Sequence, residues 1–353
     1  MNSSTPSQGS GTVLTFNEVR GGGGLIVDCA ADPYDLRPAQ AGILERVQEV
    51  SARLRGRQPL VVLMGERHMM PAVKMLQTMV LDHLAKAAPS QVACGIEYPH
   101  DGLGVLMSRC GFSVASSSYP VLKHQDGDGQ RGLMVSLAAL TLPDAPVTHD
   151  TLLDYCRRQG LSTRFTDAAQ TEDGVLLNSA DPLTADVMVR CAPGVPEDKI
   201  PVASNVGMAL RNVAIVQNVM THIQDTGASL YVQHCGVDHI YGHRGDHCAY
   251  EHSLTSLFAQ AGVMTVPVFT GGDADIAAIP LAASVAFDNS VIITNLSESN
   301  FRAGDPGEAD FIRALGQHSG VDFNVFEKAS LDHKTLIQVL RQAGPQWLAS
   351  LRI

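Results

Sequence analysis

A carboxylate and an imidazole lie two residues apart in the segment Gly65-Glu66-Arg67-His68, directly after an apolar run of strand length. A histidine can act as a general base near neutral pH, and a neighbouring carboxylate can orient its ring or bind a cation. The two side chains therefore suit the activation of a small group such as water. The structural alternative is that they cap the following helix and pair with Arg67.

Two further charged side chains lie in predicted elements, one at the end of a strand and one in a helix. Glu97 closes the apolar segment that begins at Gln91, where a carboxylate without a partner would be costly to bury. Arg211 lies early in a predicted helix and is followed by Asn212, and its guanidinium can hold an anionic group or pair with a carboxylate. The alternatives are a solvated strand end for Glu97 and a surface position for Arg211.

A third group comprises three histidines spaced by four residues, His239, His243 and His247. On a continuous helix they would share one face, which suits zinc or another transition metal. Glycines interrupt this segment, so we expect only one or two of its histidines to face a cleft. A closed zinc site that uses Cys235 and Cys248 is the alternative.

The apolar patterns predict alternating strands and helices. Helical spacing predicts helices over 39–57, 71–84, 205–226 and 251–261, and short apolar runs predict strands at 60–64, 91–97, 163–167, 230–234, 263–269 and 290–294. A strand, a helix and a strand within about 40 residues are typical of a βαβ unit. We therefore predict an α/β fold with a mainly parallel central sheet and helices on both faces. Its functional cleft should lie at the carboxyl ends of the strands.

The predicted domain organisation is a flexible leader over 1–22 and a single α/β domain over 23–353. The domain carries a cap-like insertion at about 100–203, with helices near 133–140 and 150–159, and ends in two helices that pack on the sheet. The leader does not have the pattern of a Sec signal peptide. We expect either a bacterial cytoplasmic protein or an effector or toxin that is secreted into a host cell by a non-Sec route.

The composition excludes several classes of protein. The chain has 353 residues and a net charge of −11, with 45% hydrophobic and 17% charged residues, which is not the composition of a disordered chain. The acidic balance argues against nucleic acid and anionic membranes as partners, and no apolar stretch suits a membrane span. Seven scattered cysteines without a CxxC pair indicate reduced, mostly buried thiols. The expected partners are a small-molecule or peptide substrate and, for an effector, a host-cell target.

Together, these motifs resemble the diverse superfamily that includes erythromycin esterases, ChaN-like iron-regulated proteins, and the TraB and Tiki proteins. The shared pattern is a strand ending in G-E-x-H or G-E-x-x-H, a strand ending in Glu, a helix bearing Arg-Asn, and a strand leading into G-x-x-H. The matching segments here are Gly65–His68, Glu97, Arg211-Asn212 and Gly236–His239. The G-E-x-H spacing is closest to the ChaN-like branch, and the Arg-Asn helix is similar to the TraB and Tiki branch. The resemblance covers 58–100 and 205–270.

The resemblance implies a cleft formed by Glu66, His68, Glu97 and His239 and lined by Arg211. It implies a hydrolase of ester or peptide bonds in which His68 is a general base, as in the metal-free esterase branch. By likeness to the Tiki branch, the alternative is a divalent Mn, Co or Zn ion held by Glu66, His68, Glu97 and His239. The chain has one residue fewer between Glu66 and His68 than the esterases have, which argues against macrolide esterase activity.

A non-catalytic binding protein of the ChaN-like fold is the second hypothesis. Such a protein would bind a ligand such as haem with a rim that includes Met69, Met70 and His100. Paired methionines are more often core residues than haem ligands, so we favour the hydrolase.

Overall fold

The described part of the chain holds most of the predicted α/β core. The computed structural model describes residues 13–56, 58–66, 70–88, 90–99, 152, 155–156, 159–168, 187, 194, 200–201, 204–243, 249–296, 314 and 317–319. Among these residues, no helix has both the length and the apolar character that a membrane crossing requires.

A seven-stranded sheet lies at the centre of the described residues, and all of its strand pairs are parallel. The strands are β1 Leu25–Asp28, β2 Leu60–Glu66, β3 Val92–Pro99, β4 Ser162–Asp167, β5 Leu230–Gly236, β6 Met264–Thr270 and β7 Val291–Thr294. Their spatial order is β1-β7-β6-β2-β5-β3-β4. This confirms the predicted fold class.

Helices cover both faces of the sheet. They are α1 Phe16–Gly21, α2 Arg37–Leu54, α3 Pro71–Ala87, α4 Asn205–Thr226, α5 Val237–Tyr241, α6 Leu254–Gln260 and α7 Asp273–Ala278, with 3₁₀ helices Tyr250–His252 and Leu281–Ala286. One apolar core joins α2 and α3 to the first face of the sheet, and a second core joins α1 and α4–α7 to the other face. Because both faces are covered, every residue of β2 is buried.

The chain changes direction across the sheet at β2 and β5, which are neighbours in parallel register with Glu66 opposite Gly236. After β2 the chain continues through α3, on the first face, to β3. After β5 it continues through α5 and α6, on the second face, to β6 on the opposite side. Such a switch point opens a crevice at the carboxyl ends of the two strands, where open α/β sheets bind ligands.

Helix α4 has well-defined ends that fix the side chains it carries. The Ser204 hydroxyl accepts a hydrogen bond from the Gly207 backbone N–H at 3.0 Å, which satisfies a free donor of the first turn. Gly227 ends the helix in the left-handed conformation, with φ of 68°, and its N–H donates to the Ile223 carbonyl. Arg211 lies in the second turn of this helix, and its guanidinium contacts Glu97 and Asp167 near the carboxyl ends of β3 and β4.

The structure differs from the sequence prediction in several segments. Residues 13–22 of the predicted leader are not a free segment, because Leu14 and Val19 are buried in the second core and α1 carries a Thr15/Glu18 capping box. Strand β1 was not predicted, and the short helix α5 lies at the start of the glycine-interrupted histidine segment, for which no helix was predicted. The helix near 133–140 and most of the insertion and the last 50 residues lie outside the described residues.

Candidate functional site

Glu97 is the centre of a buried polar cluster at the carboxyl end of β3. Alternation along the strand places Ile96 in the first core and Glu97 on the opposite face, beneath α4 and α5. Its Oε1 accepts a hydrogen bond from Arg211 Nη2 and lies 3.1 Å from His239 Nε2. Its Oε2 accepts the backbone N–H of Gly236, the residue that precedes α5. These three contacts fix the carboxylate at the switch point.

Arg211 holds a second carboxylate beside Glu97. Its Nε lies 3.0 and 3.1 Å from the two oxygens of Asp167, at the end of β4, and its Nη2 lies 2.8 Å from Oδ2. Burial alone would lower the pKa of the guanidinium, but the charges and hydrogen bonds of Asp167 and Glu97 outweigh burial and raise the pKa. Arg211 therefore stays charged and balances part of the negative charge of the two carboxylates.

His239 is held from both sides. Its Nδ1 contacts the Asn212 side-chain oxygen, and its Nε2 faces Glu97. The amide nitrogen of Asn212 donates to the His252 carbonyl at 2.8 Å, so the amide oxygen must point at the ring. The proton shared by Asn212 and His239 is therefore on Nδ1. The other ring nitrogen, Nε2, faces an oxygen of the Glu97 carboxylate, which can accept a hydrogen bond from it.

Helix α5, which carries His239, packs closely on β2 because Gly65 has no side chain. A Cβ atom at Gly65 would lie 2.8 Å from the Val268 carbonyl oxygen and 2.9 Å from the Ile240 side chain. The Thr255 hydroxyl also donates to the Ile240 carbonyl at 2.6 Å. The glycine of the first motif thus helps to position the histidine of the last one.

Glu66 lies at the same edge of the sheet but on the first face, where it forms an ion pair with Lys74 of α3. The Glu66 and Lys74 side chains are 0% and 3% exposed. Of the predicted cleft residues, the structure thus brings Glu97, Arg211 and His239 into contact and places Glu66 in a separate pair. His68 lies outside the described residues, as does Arg67.

The described residues do not fit the divalent metal that the resemblance offered as one alternative. Among them, no group of three or more histidine, cysteine or acidic side chains is placed so that it could hold a metal ion. Instead, Glu97 contacts Arg211 and His239, and Glu66 contacts Lys74. Cationic side chains therefore occupy the positions beside the carboxylates.

The histidine-rich segment contributes one residue to the cluster. His239 is buried there, whereas His243 is half-buried beyond the end of α5. His247 and Cys248 lie outside the described residues, so the alternative of a closed zinc site stays untested. Cys235 is a free, buried thiol whose pKa is raised, first by burial and then by the charge of Glu97.

The haem hypothesis depends mainly on residues that the structure does not describe. Met70 is 6% exposed and belongs to the first apolar core, which is the packing role expected of such a methionine. Met69 and His100 lie outside the described residues.

Sequence reasoning missed two charged residues and one contact. Asp167 was recognised only as the end of a predicted strand, although an acidic strand end in a parallel sheet is the same signal that selected Glu97. Lys74 lies in a predicted helix, and its charge among apolar neighbours was an available signal. The Asn212–His239 contact joins residues far apart in the sequence, so no local pattern reveals it.

The fold and site define an α/β protein with a charged cluster at the switch point of a parallel sheet. Comparisons with protein-family models, curated proteins and solved structures gave no match.

Proposed function

We propose that the protein is a hydrolase of ester or peptide bonds in which Glu97 and His239 form the acid–base pair. The observation that carries this proposal is the 3.1 Å contact between Glu97 Oε1 and His239 Nε2 at the switch point. Arg211 fixes the carboxylate and Asn212 fixes the ring, so both groups are oriented before a substrate binds.

In the proposed reaction, the direct contact between Glu97 and His239 opens, and a water molecule and the substrate carbonyl group enter between the two side chains. The carboxylate of Glu97 accepts a proton from the water while the water oxygen attacks the carbonyl carbon of the substrate. His239 Nε2–H donates to the oxyanion and then gives its proton to the leaving oxygen or nitrogen, and the bond to the leaving group breaks. Direct transfer of the proton from Glu97 to His239 then restores the starting state.

The surrounding residues maintain a positive charge beside Glu97 and fix the orientation of its carboxylate. The raised pKa of Arg211, which Asp167 and Glu97 maintain against the opposing effect of burial, keeps a positive charge beside Glu97. The Gly236 N–H fixes the second carboxylate oxygen, so Oε1 is the oxygen that faces the ring. His68, the base predicted from the sequence, lies outside the described residues, and this reaction does not require it.

A substrate panel with a matched pair of variants tests the proposal. Wild-type protein is assayed on p-nitrophenyl esters of several chain lengths and on a mixed peptide library, beside Glu97→Gln and Glu251→Gln. Glu251 is an exposed carboxylate in the 3₁₀ helix Tyr250–His252 and provides the control. We expect hydrolysis by wild type and Glu251→Gln and a loss of about 100-fold or more in Glu97→Gln.

Equal hydrolysis by Glu97→Gln and wild type would contradict the proposal. Circular dichroism of each variant shows whether a loss of activity accompanies a loss of folded structure. An inactive but folded Glu97→Gln supports the assigned role, since the amide keeps the size of the side chain and removes its basic oxygen.

A further inference from the structure

Lys74 occupies an unfavourable position for a lysine. It is 2% exposed and lies in the first turns of α3, whose positive end of the helix dipole repels cations. A buried ammonium group is costly unless an opposite charge lies beside it. Its partner is Glu66, the carboxylate that ends β2 at the switch point. The strand end therefore holds a cation that belongs to the protein itself.

We propose that Lys74 is the resident cation of the candidate site, and that its ammonium group takes the place beside Glu66 that a divalent metal ion would otherwise take. This inference deepens the proposed function, on which it rests for the location of the site. Among the described residues, Lys74 on the first face and Arg211 on the second then carry positive charge at this edge.

The chemistry of the ligands supports this assignment. A divalent cation needs several oxygen or nitrogen ligands whose lone pairs point at one position. One oxygen of Glu66, Oε2, contacts the Lys74 ammonium group, and both oxygens of Glu97 accept hydrogen bonds. Neither carboxylate presents a vacant pair of oxygens to a shared metal.

Metal content is the first measurement. Full-length wild type and Glu66→Gln are incubated separately with Mn²⁺, Co²⁺ and Zn²⁺, desalted, and analysed by mass spectrometry for bound metal. We expect no difference in metal content between the two proteins, because Glu66 is not a metal ligand. Near-stoichiometric metal in wild type that Glu66→Gln loses would overturn the proposal.

The response of thermal unfolding to Mn²⁺ is the second measurement, and it separates a resident cation from an ordinary structural ion pair. Lys74→Ala leaves Glu66 without its cation and opens space beside it, so the variant should have a lower Tm than wild type. Millimolar Mn²⁺ should raise the Tm of Lys74→Ala and leave that of wild type unchanged, because only the variant offers the ion the Glu66 carboxylate together with space for the water molecules that complete its coordination. The double variant Lys74→Ala/Glu66→Gln should recover part of the lost Tm and show no response to Mn²⁺.

Failure of the Mn²⁺ response in folded Lys74→Ala would overturn the proposal. If Lys74→Ala does not fold, the metal content of wild type and Glu66→Gln still decides the outcome. Both readouts are independent of hydrolysis. A protein without hydrolytic activity would therefore contradict the proposed function and leave the assignment of Lys74 intact.

Discussion

Two buried histidines at opposite edges of the sheet have different surroundings. His239, at the carboxyl edge, lies between the Asn212 amide and the Glu97 carboxylate. His222, in the last turns of α4 at the amino edge, lies between two hydroxyl groups, 2.8 Å from Ser162 Oγ and 2.9 Å from the Tyr231 hydroxyl. The same side chain therefore faces a charged cluster at one edge and neutral groups at the other.

This difference separates a structural histidine from a candidate for proton transfer. Burial, and then the charge of Arg164, lower the pKa of His222 to about 4, so its ring is neutral near pH 7 and links β4, α4 and β5. His239 instead lies beside a carboxylate whose charge Arg211 balances. Burial alone does not mark a functional histidine, and its charged neighbours decide which role it can have.

The largest expected effect on stability comes from removing the positive charge of Arg211 at the carboxyl edge. Arg211→Met leaves Glu97 and Asp167 buried without their shared cation, and we expect a loss of about 3–5 kcal/mol in the free energy of unfolding. The control is Arg164→Met, since Arg164 pairs at 3.1 Å with Asp225, whose side chain is 46% exposed. This partly exposed pair should contribute about 0–1 kcal/mol. Urea denaturation measures both losses, and equal losses would remove the distinction between the two edges.

The second expected effect is a pH dependence of the free energy of unfolding that is caused by His222 at the amino edge. The pKa of His222 is lowered from 6.5 to about 4 in the folded state, so below pH 6.5 the unfolded chain binds a proton that the folded chain does not bind. The stabilisation from neutral His222 is therefore complete above pH 6.5. It should fall by about 2–3 kcal/mol as the pH decreases to 4. Urea denaturation of wild type and His222→Gln at each pH measures this contribution, and parallel curves for the two proteins would contradict it.

A smaller effect should come from the amide that holds His239. Asn212→Ala leaves the His252 carbonyl and the His239 Nδ1–H without this partner, at a cost of about 1–3 kcal/mol. The matched control on the same helix is Asn218→Ala, which removes a hydrogen bond to the Thr166 carbonyl far from the ring. Nitrogen-15 NMR of labelled histidines should show a protonated Nδ1 on His239 in wild type and in Asn218→Ala. An unprotonated Nδ1 in wild type would contradict the assignment.

The sequence predicted the parallel sheet because its central strands are continuous apolar runs that only burial on both faces explains. It placed Glu97 at the carboxyl edge because Glu97 ends such a run, and the family resemblance assigned His239 and Arg211 to the same cleft. It did not predict that Glu66 turns to the other face, since that depends on the pleat of β2 and on Lys74 of α3. Strand β1 directly follows the glycine run at the end of the predicted leader, where its short apolar run was not recognised, and the partners of His239 are set by packing between distant segments.

The most direct test of the functional assignment compares the two histidines in one assay. The kcat/KM for an ester or peptide substrate hydrolysed by wild type is measured for His239→Gln and His222→Gln, with circular dichroism to confirm that both variants are folded. We predict a loss of about 100-fold or more for His239→Gln and activity close to wild type for His222→Gln. Wild-type activity in folded His239→Gln would contradict the central claim that the charged edge of the sheet carries the chemistry.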